Sequence, residues 1–306
     1  MTAVLQGFWL IAVVVAVGWL LAHTGLFGRT EQQMLAKLTF RVGSPTLLFL
    51  VIGDADVGII FSGLLVATTV AVAVTAATYL LLDRLLWRST CTDAVMGAMA
   101  VTYVNGNNLG VPIAAYVLGD AGWAAPILLM QLLVLQPSWL AALDAVGRGR
   151  VSVGRLLRSP LTNPLTIGSL LGLVVALTGV QLPGMVRAPL ELISGLAIPC
   201  MLIAFGISLR LSPLPGRDGN RARLAASALL KLVLMPAVAV LVAGPVLGLP
   251  HEEVVAAGVL AALPTAQNVF ILAVAYGRGE QVAREAVFTT TLLALPAMLG
   301  LVALLT

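Results

Sequence analysis

The chain has 306 residues and a mean hydropathy of +1.05, with 60% of residues hydrophobic and 10% charged. Soluble domains carry about 25% charged residues, and no soluble core absorbs this much apolar surface, so the composition predicts an all-α integral membrane protein. At roughly 20 residues per crossing the length holds about ten helices, with no room for a nucleotide-driven or other extramembrane domain. The net charge of +4 reads as loop bias rather than as a surface for nucleic acid.

Apolar runs predict helices at about 4–24, 33–52, 57–82, 91–118, 122–144, 163–181, 189–209, 222–247, 252–277 and 283–305. The first lacks a basic leader and an A-x-A site, so it reads as a retained helix rather than a signal peptide. Pro45 kinks the second. The fourth is interrupted by Asn105-Gly106-Asn107-Asn108-Leu109-Gly110-Val111-Pro112. Gly106 and Gly110 loosen the backbone there. Pro112 lacks an N–H and drives Val111 from helical geometry, so the chain should unwind near 105–110 and restart near 111. The fifth helix carries Gln131, Gln136 and Pro137, which either line a cavity or pack against neighbours. A basic linker over 146–160 then separates a first five-helix set, 1–145, from a second, 161–306. Pro199 kinks the seventh helix. The eighth carries Lys231 well inside the bilayer, either as a charge near a cavity or as a stem snorkelling to the cytoplasmic surface. The ninth breaks at Pro264-Thr265-Ala266-Gln267-Asn268, with its second half starting near Gln267. Thr289-Thr290-Thr291 and Pro296 in the tenth read as structural. No Asp or Glu is expected deep in a helix, so the acidic coupling site common in proton and sodium carriers is missing.

Of the 17 Lys and Arg residues, 15 fall in the odd-numbered connections, whereas the even-numbered ones hold Arg187 with Asp54, Asp56, Asp120, Glu252 and Glu253. The positive-inside bias then puts both termini outside the cell membrane. A shift of 160 residues lays 93–120 on 253–280, matching Val95 to Val255, Asn107 to Gln267, Asn108 to Asn268, Tyr116 to Tyr276 and Gly119 to Gly279. Earlier in the chain the shift is 154, and the six extra residues fit around Pro213–Asn220. Five is an odd number of crossings, so the second set must be inverted, a plan used by secondary transporters.

Helices interrupted at membrane depth are tolerated only where they line a cavity or are buried in protein. Helices 4 and 9 would then cross at mid-membrane and offer half-helix N-termini, an anion site that needs no cationic side chain. Asn105, Asn107, Asn108, Thr265, Gln267, Asn268 and Lys231 are the candidate substrate-binding residues, with Gly106, Gly110, Pro112 and Pro264 shaping the crossover. The alternative is that the amides only satisfy freed backbone. Tyr103 could add a hydroxyl. Cys91, Cys200, His23 and His251 show no metal-ligand spacing, and there is no H-E-x-x-H, G-x-S-x-G or P-loop, so neither enzyme chemistry, metal nor cofactor is expected.

The spacing Asn105-x-x-x-x-Gly110-x-Pro112, the run Pro264-Thr265-Ala266-Gln267-Asn268-Val269-Phe270 and the following Tyr276-Gly277 resemble the auxin efflux carrier family, the bacterial relatives of the plant PIN proteins. The resemblance implies a secondary transporter for a small organic anion, a mono- or dicarboxylate such as malate or malonate, working by elevator-like alternating access. It implies a scaffold and homodimer through helices 1, 2, 6 and 7 and a moving unit of helices 3–5 and 8–10. The bile-acid/sodium symporter group resembles the same plan but usually shows acidic sodium ligands not found here. A non-transporting sensor or a channel is the reading from another class.

Overall fold

The computed structural model describes residues 2–148, 154, 162–211, 221–276 and 279–305. Among them the structure is helical, and its one β feature is an isolated bridge. The helices are α1 (Thr2–His23), α2 (Arg29–Asp54), α3 (Gly63–Trp87), α4 (Cys91–Thr102), α5 (Val111–Tyr116), α6 (Ala121–Val146), α7 (Pro164–Thr178), α8 (Gly184–Ser194), α9 (Ala197–Leu211), α10 (Arg221–Val246), α11 (His251–Ala261), α12 (Gln267–Tyr276) and α13 (Glu280–Leu305). Six stretches, namely α2, α3, α6, α8 with α9, α10 and α13, are long and apolar enough to cross a membrane. The basic linker predicted over 146–160 and the stretch around Pro213–Asn220 lie for the most part outside the described residues, as does Gly277.

Four prolines follow one local rule. π-helical turns at Thr39–Gly43, Gly106–Gly110, Gln131–Leu135 and Leu230–Leu234 each end two residues before a proline: Pro45, Pro112, Pro137 and Pro236. A proline inside a helix offers no N–H to the carbonyl four residues back, and its ring pushes that carbonyl away. Widening the preceding turn accommodates the displaced carbonyl without ending the helix.

The chain forms two compact units. Unit 1 comprises Met1–Phe61, Asn107–Leu133 and Leu157–Pro213. Within it α1 lies against α9, and α2 against α7. Small residues bring the backbones together: Gly18 faces the Ile203 carbonyl, Gly206 that of Val15, and Gly168 and Gly172 those of Pro45 and Phe49. Gly168 and Gly172 have the four-residue spacing that lets membrane helices approach closely. Leu48, Ile52, Ile60, Val111, Leu128 and Leu132 belong to its apolar core. Arg187 ties α8 to α2 through Asp54 at 2.7 Å and is also paired with Glu191 at 2.6 Å. A cleft of about 400 Å³ opens beside this pair, among Phe49, Gly53, Val175 and Leu182. Its cation is already committed to two carboxylates, which leaves little for an incoming anion. Leu20, Leu171 and Val174 are exposed, as befits a lipid-facing surface.

Unit 2 comprises Ser62–Gly106, Val134–Leu156 and Leu214–Thr306. Here α3 packs against α4, α10 and α11. Arg223 of α10 binds Asp83 at 3.0 Å, donates to the Tyr79 hydroxyl at 2.8 Å and lies 5.5 Å from the centre of the Trp87 ring. Gly97 of α4 leaves the room that Tyr79 fills. Asp83, Asp144 and Glu285 are 3%, 1% and 7% exposed, so helices of this unit do bury carboxylates. All three lie close to a helix end: Asp83 in the last turn of α3, Asp144 in the last turn of α6 and Glu285 in the second turn of α13.

Candidate functional site

The breaks expected in the fourth and ninth helices are present, and unit 2 pairs them. α4 ends at Thr102, and a π turn from Gly106 leads into α5; α11 ends at Ala261, and α12 starts at Gln267. The intervening stretches meet as an antiparallel bridge between Val104 and Thr265. The Asn105 N–H donates to the Pro264 carbonyl at 2.8 Å, and the Ala266 N–H donates to the Tyr103 carbonyl at 3.0 Å. In a membrane each unpaired backbone group costs several kcal/mol, so two interruptions that pair with each other are far cheaper than two that do not.

Side chains satisfy other freed groups. The Thr265 N–H donates to Thr290 Oγ1 at 3.0 Å, and Thr265 Oγ1 donates to the Ala100 carbonyl at 2.7 Å. Thr290 Oγ1 in turn donates to the Ala286 carbonyl at 2.6 Å. The Tyr103 hydroxyl donates to Gln136 Oε1 at 3.0 Å, so Gln136 helps to hold the first break. Lys231 is fully buried, and its Nζ donates to the Ala261 carbonyl at 3.0 Å, with Met235 Sδ at 3.1 Å. Its stem does not snorkel to a surface; the ammonium caps the end of α11.

The other candidate residues divide by availability. Asn105 is 3% exposed, and its Nδ2 has no hydrogen-bond partner. Gln267 is half-buried and Asn268 exposed, both in the first turn of α12, where backbone N–H groups and the positive end of the helix dipole favour an anion. Asn107 and Asn108, half-buried, belong to unit 1. There Asn107 Nδ2 donates to Ser44 Oγ at 3.2 Å and to Asn108 Oδ1 at 3.0 Å, while its buried Oδ1 is without a partner. Gly110 and Pro112 lie where the π turn joins α5, with Pro112 in its first turn, and Pro264 supplies the carbonyl that Asn105 uses. Thr265 is spent on the break itself. The roles of Thr290 and of the Ala100 and Ala261 carbonyls escape sequence reasoning, because their partners are distant along the chain. The run Thr289-Thr290-Thr291 in an apolar helix was the available signal, and it does not single out Thr290.

These paired breaks sit in a chain that has relatives. It is 28% identical, over 228 residues, to a protein of Rhizobium meliloti (strain 1021) named "Putative malonate transporter", covering 71% of this chain and 69% of that protein. A family model described as "Membrane transport protein" matches residues 3–142 and 148–302. With its apolar helices and its interrupted ones accounted for, the chain is an integral membrane transporter, not an enzyme, and belongs to the membrane transport protein family, that of the auxin efflux carriers.

Proposed function

We propose that this protein carries a small dicarboxylate, malonate first among the candidates, across the cell membrane by elevator-like alternating access. The observation that carries the reading is the pair of interrupted helices held by the Val104–Thr265 bridge, with the Asn105 amide buried beside it and unspent. A buried amide without a partner is costly unless a ligand completes it. The carboxylate lies against the first turn of α12, receiving hydrogen bonds from Asn105, Gln267 and Asn268. Asn107 and Asn108, in unit 1, are proposed as ligand-binding residues in their own right. The name of the Rhizobium relative supports malonate over a bile acid or a bulky aromatic anion.

The inverted five-plus-five plan is part of the same proposal. Under the 160-residue shift Val104 corresponds to Pro264 and Asn105 to Thr265. The bridge therefore joins position 104 to the counterpart of 105, and its neighbouring hydrogen bond joins 105 to the counterpart of 104. The two breaks thus meet at corresponding positions of the proposed repeats, which supports the five-plus-five plan. Dimerisation through helices 1, 2, 6 and 7 remains the arrangement implied by the family likeness.

The test is uptake of radiolabelled malonate into proteoliposomes. Asn105→Ala and Asn268→Ala should lower uptake at least about tenfold while leaving the melting temperature near that of the parent, because neither side chain carries the fold. Parental uptake by both folded variants would remove these residues from the site. Saturable binding without flux would favour the sensor reading.

A further inference from the structure

Lys231 is an ammonium in the middle of α10 with 0% exposure. Among the described residues its contacts are an uncharged carbonyl, that of Ala261, and the sulfur of Met235. A buried ammonium normally requires a carboxylate. What Lys231 faces is the C-terminal end of α11, where helical carbonyls run out of N–H donors and the helix carries a partial negative charge of about half a unit. The carbonyls just upstream are met from within: Gly258 accepts the Ala262 N–H at 3.0 Å and Leu260 the Leu263 N–H at 3.4 Å. The Ala261 carbonyl, at the mouth of the break, is met by the lysine.

In carriers built on interrupted helices, half-helix C-termini and unwound carbonyls are where coupling cations bind. We infer that Lys231 is a tethered replacement for such a cation: its amino group, fixed to the chain, holds the negative end of α11, so the substrate site assembles without sodium. This rests on reading the paired breaks as a carboxylate carrier's site. Lys231 is a positioning residue. It acts through Ala261 and the stretch that carries Thr265, Gln267 and Asn268, and does not touch the substrate.

The first break shows the contrast. There the Ala100 carbonyl near the end of α4 is met by a neutral hydroxyl, that of Thr265. The residue 160 positions before Lys231 is Ala71, which is buried and carries no charge. The two half-helix ends are therefore served by different chemistry, and only one has its cation built into the chain.

The experiment uses the full-length protein with either Na⁺ or N-methylglucamine as the only added cation. Malonate uptake is measured in proteoliposomes, and melting temperature in detergent without any carboxylate. The parent should take up malonate at the same rate in both salts, and its melting temperature should not respond to Na⁺. Lys231→Met should raise KM for malonate at least about tenfold in N-methylglucamine and lower the melting temperature, with both partly restored by Na⁺ or methylammonium. Lys231→Arg, which keeps the charge, should stay closer to the parent in both measurements. A parent that needs Na⁺ for uptake overturns the inference. So does a Lys231→Met protein with parental KM and melting temperature, or one that no small cation restores. If Lys231→Met fails to insert, the sodium response of the parent and the behaviour of Lys231→Arg decide. If the parent carries no carboxylate in either salt, the transport reading falls, while the melting measurements still decide whether Lys231 replaces a cation.

Discussion

Thr265 holds the second break by two bonds that can be cut separately. Its hydroxyl donates to the Ala100 carbonyl, and its N–H relies on Thr290 Oγ1. Thr265→Val keeps the shape and leaves Ala100 without that donor; Thr290→Val strands the Thr265 N–H. Each should cost about 1–3 kcal/mol, the range for a buried group deprived of its partner. Thr265→Ser should recover most of the loss. Melting curves of the detergent-solubilised protein check this, and equal melting temperatures for Thr265→Val and Thr265→Ser would remove the hydroxyl from the account. At this scale the sequence is only partly legible. An amide such as Asn105 stands out in an apolar run because a polar group there demands a reason. Thr290 does not stand out from Thr289 and Thr291. Nothing local distinguishes them, and the partner that does lies on another element.

Elements pack here by two devices, prolines that widen turns and glycines that admit backbones. That helices 4 and 9 are interrupted was legible because glycine, proline and amides each have a local mechanism, but the first break lies at 103–105 rather than over 105–110, since Gly106–Gly110 forms a π turn and Val111 stays helical despite Pro112. The pairing of those interruptions was not, since a bridge between Val104 and Thr265 is a long-range fact. The π turns before Pro45, Pro112, Pro137 and Pro236 could have been read as a rule, yet the sequence suggested a kink only at Pro45 and an unwound stretch at Pro112. Gly172 on α7 offers a test of the second device. A Cβ there would lie 2.6 Å from the Phe49 carbonyl oxygen of α2, while the next residue, Leu171, is 54% exposed. Gly172→Leu must push the two backbones apart, and no flexible side chain is available to yield. It should lower stability by more than about 3 kcal/mol, or abolish a monodisperse elution profile altogether. Leu171→Ala, on the lipid-facing side, should elute and melt like the parent. If Gly172→Leu also behaves like the parent, α2 and α7 are not in backbone contact.

For the whole molecule, the two ways of dividing the chain give different answers. The proposed repeat is read from the sequence and would cut the chain once, near 145–161. The compact units cut the fourth and fifth helices, at Gly106/Asn107 and Leu133/Val134. The first division follows from a shift that aligns amides with amides. The second depends on which helices share backbone contacts, such as Gly18 with Ile203, and no periodicity reports that. Orientation is the property that composition carries best and packing carries least. Read by the positive-inside bias, the excess of Arg and Lys in the odd-numbered connections proposes that the connection holding Arg84 and Arg88 lies inside, and Cys91, which follows it at the start of α4, is exposed. Met185, at the start of α8, is 92% exposed and belongs to a connection with few basic residues, which the same bias would put outside. In a Cys200→Ser background, a membrane-impermeant maleimide should therefore leave Cys91 unmodified in intact spheroplasts and label it in inverted vesicles. A Met185→Cys variant lacking Cys91 should show the reverse. Labelling of Cys91 from the outer face would turn the molecule over. The pairing of the breaks within unit 2 would stand as it is, since it rests on contacts inside that unit and not on which side faces the cytoplasm.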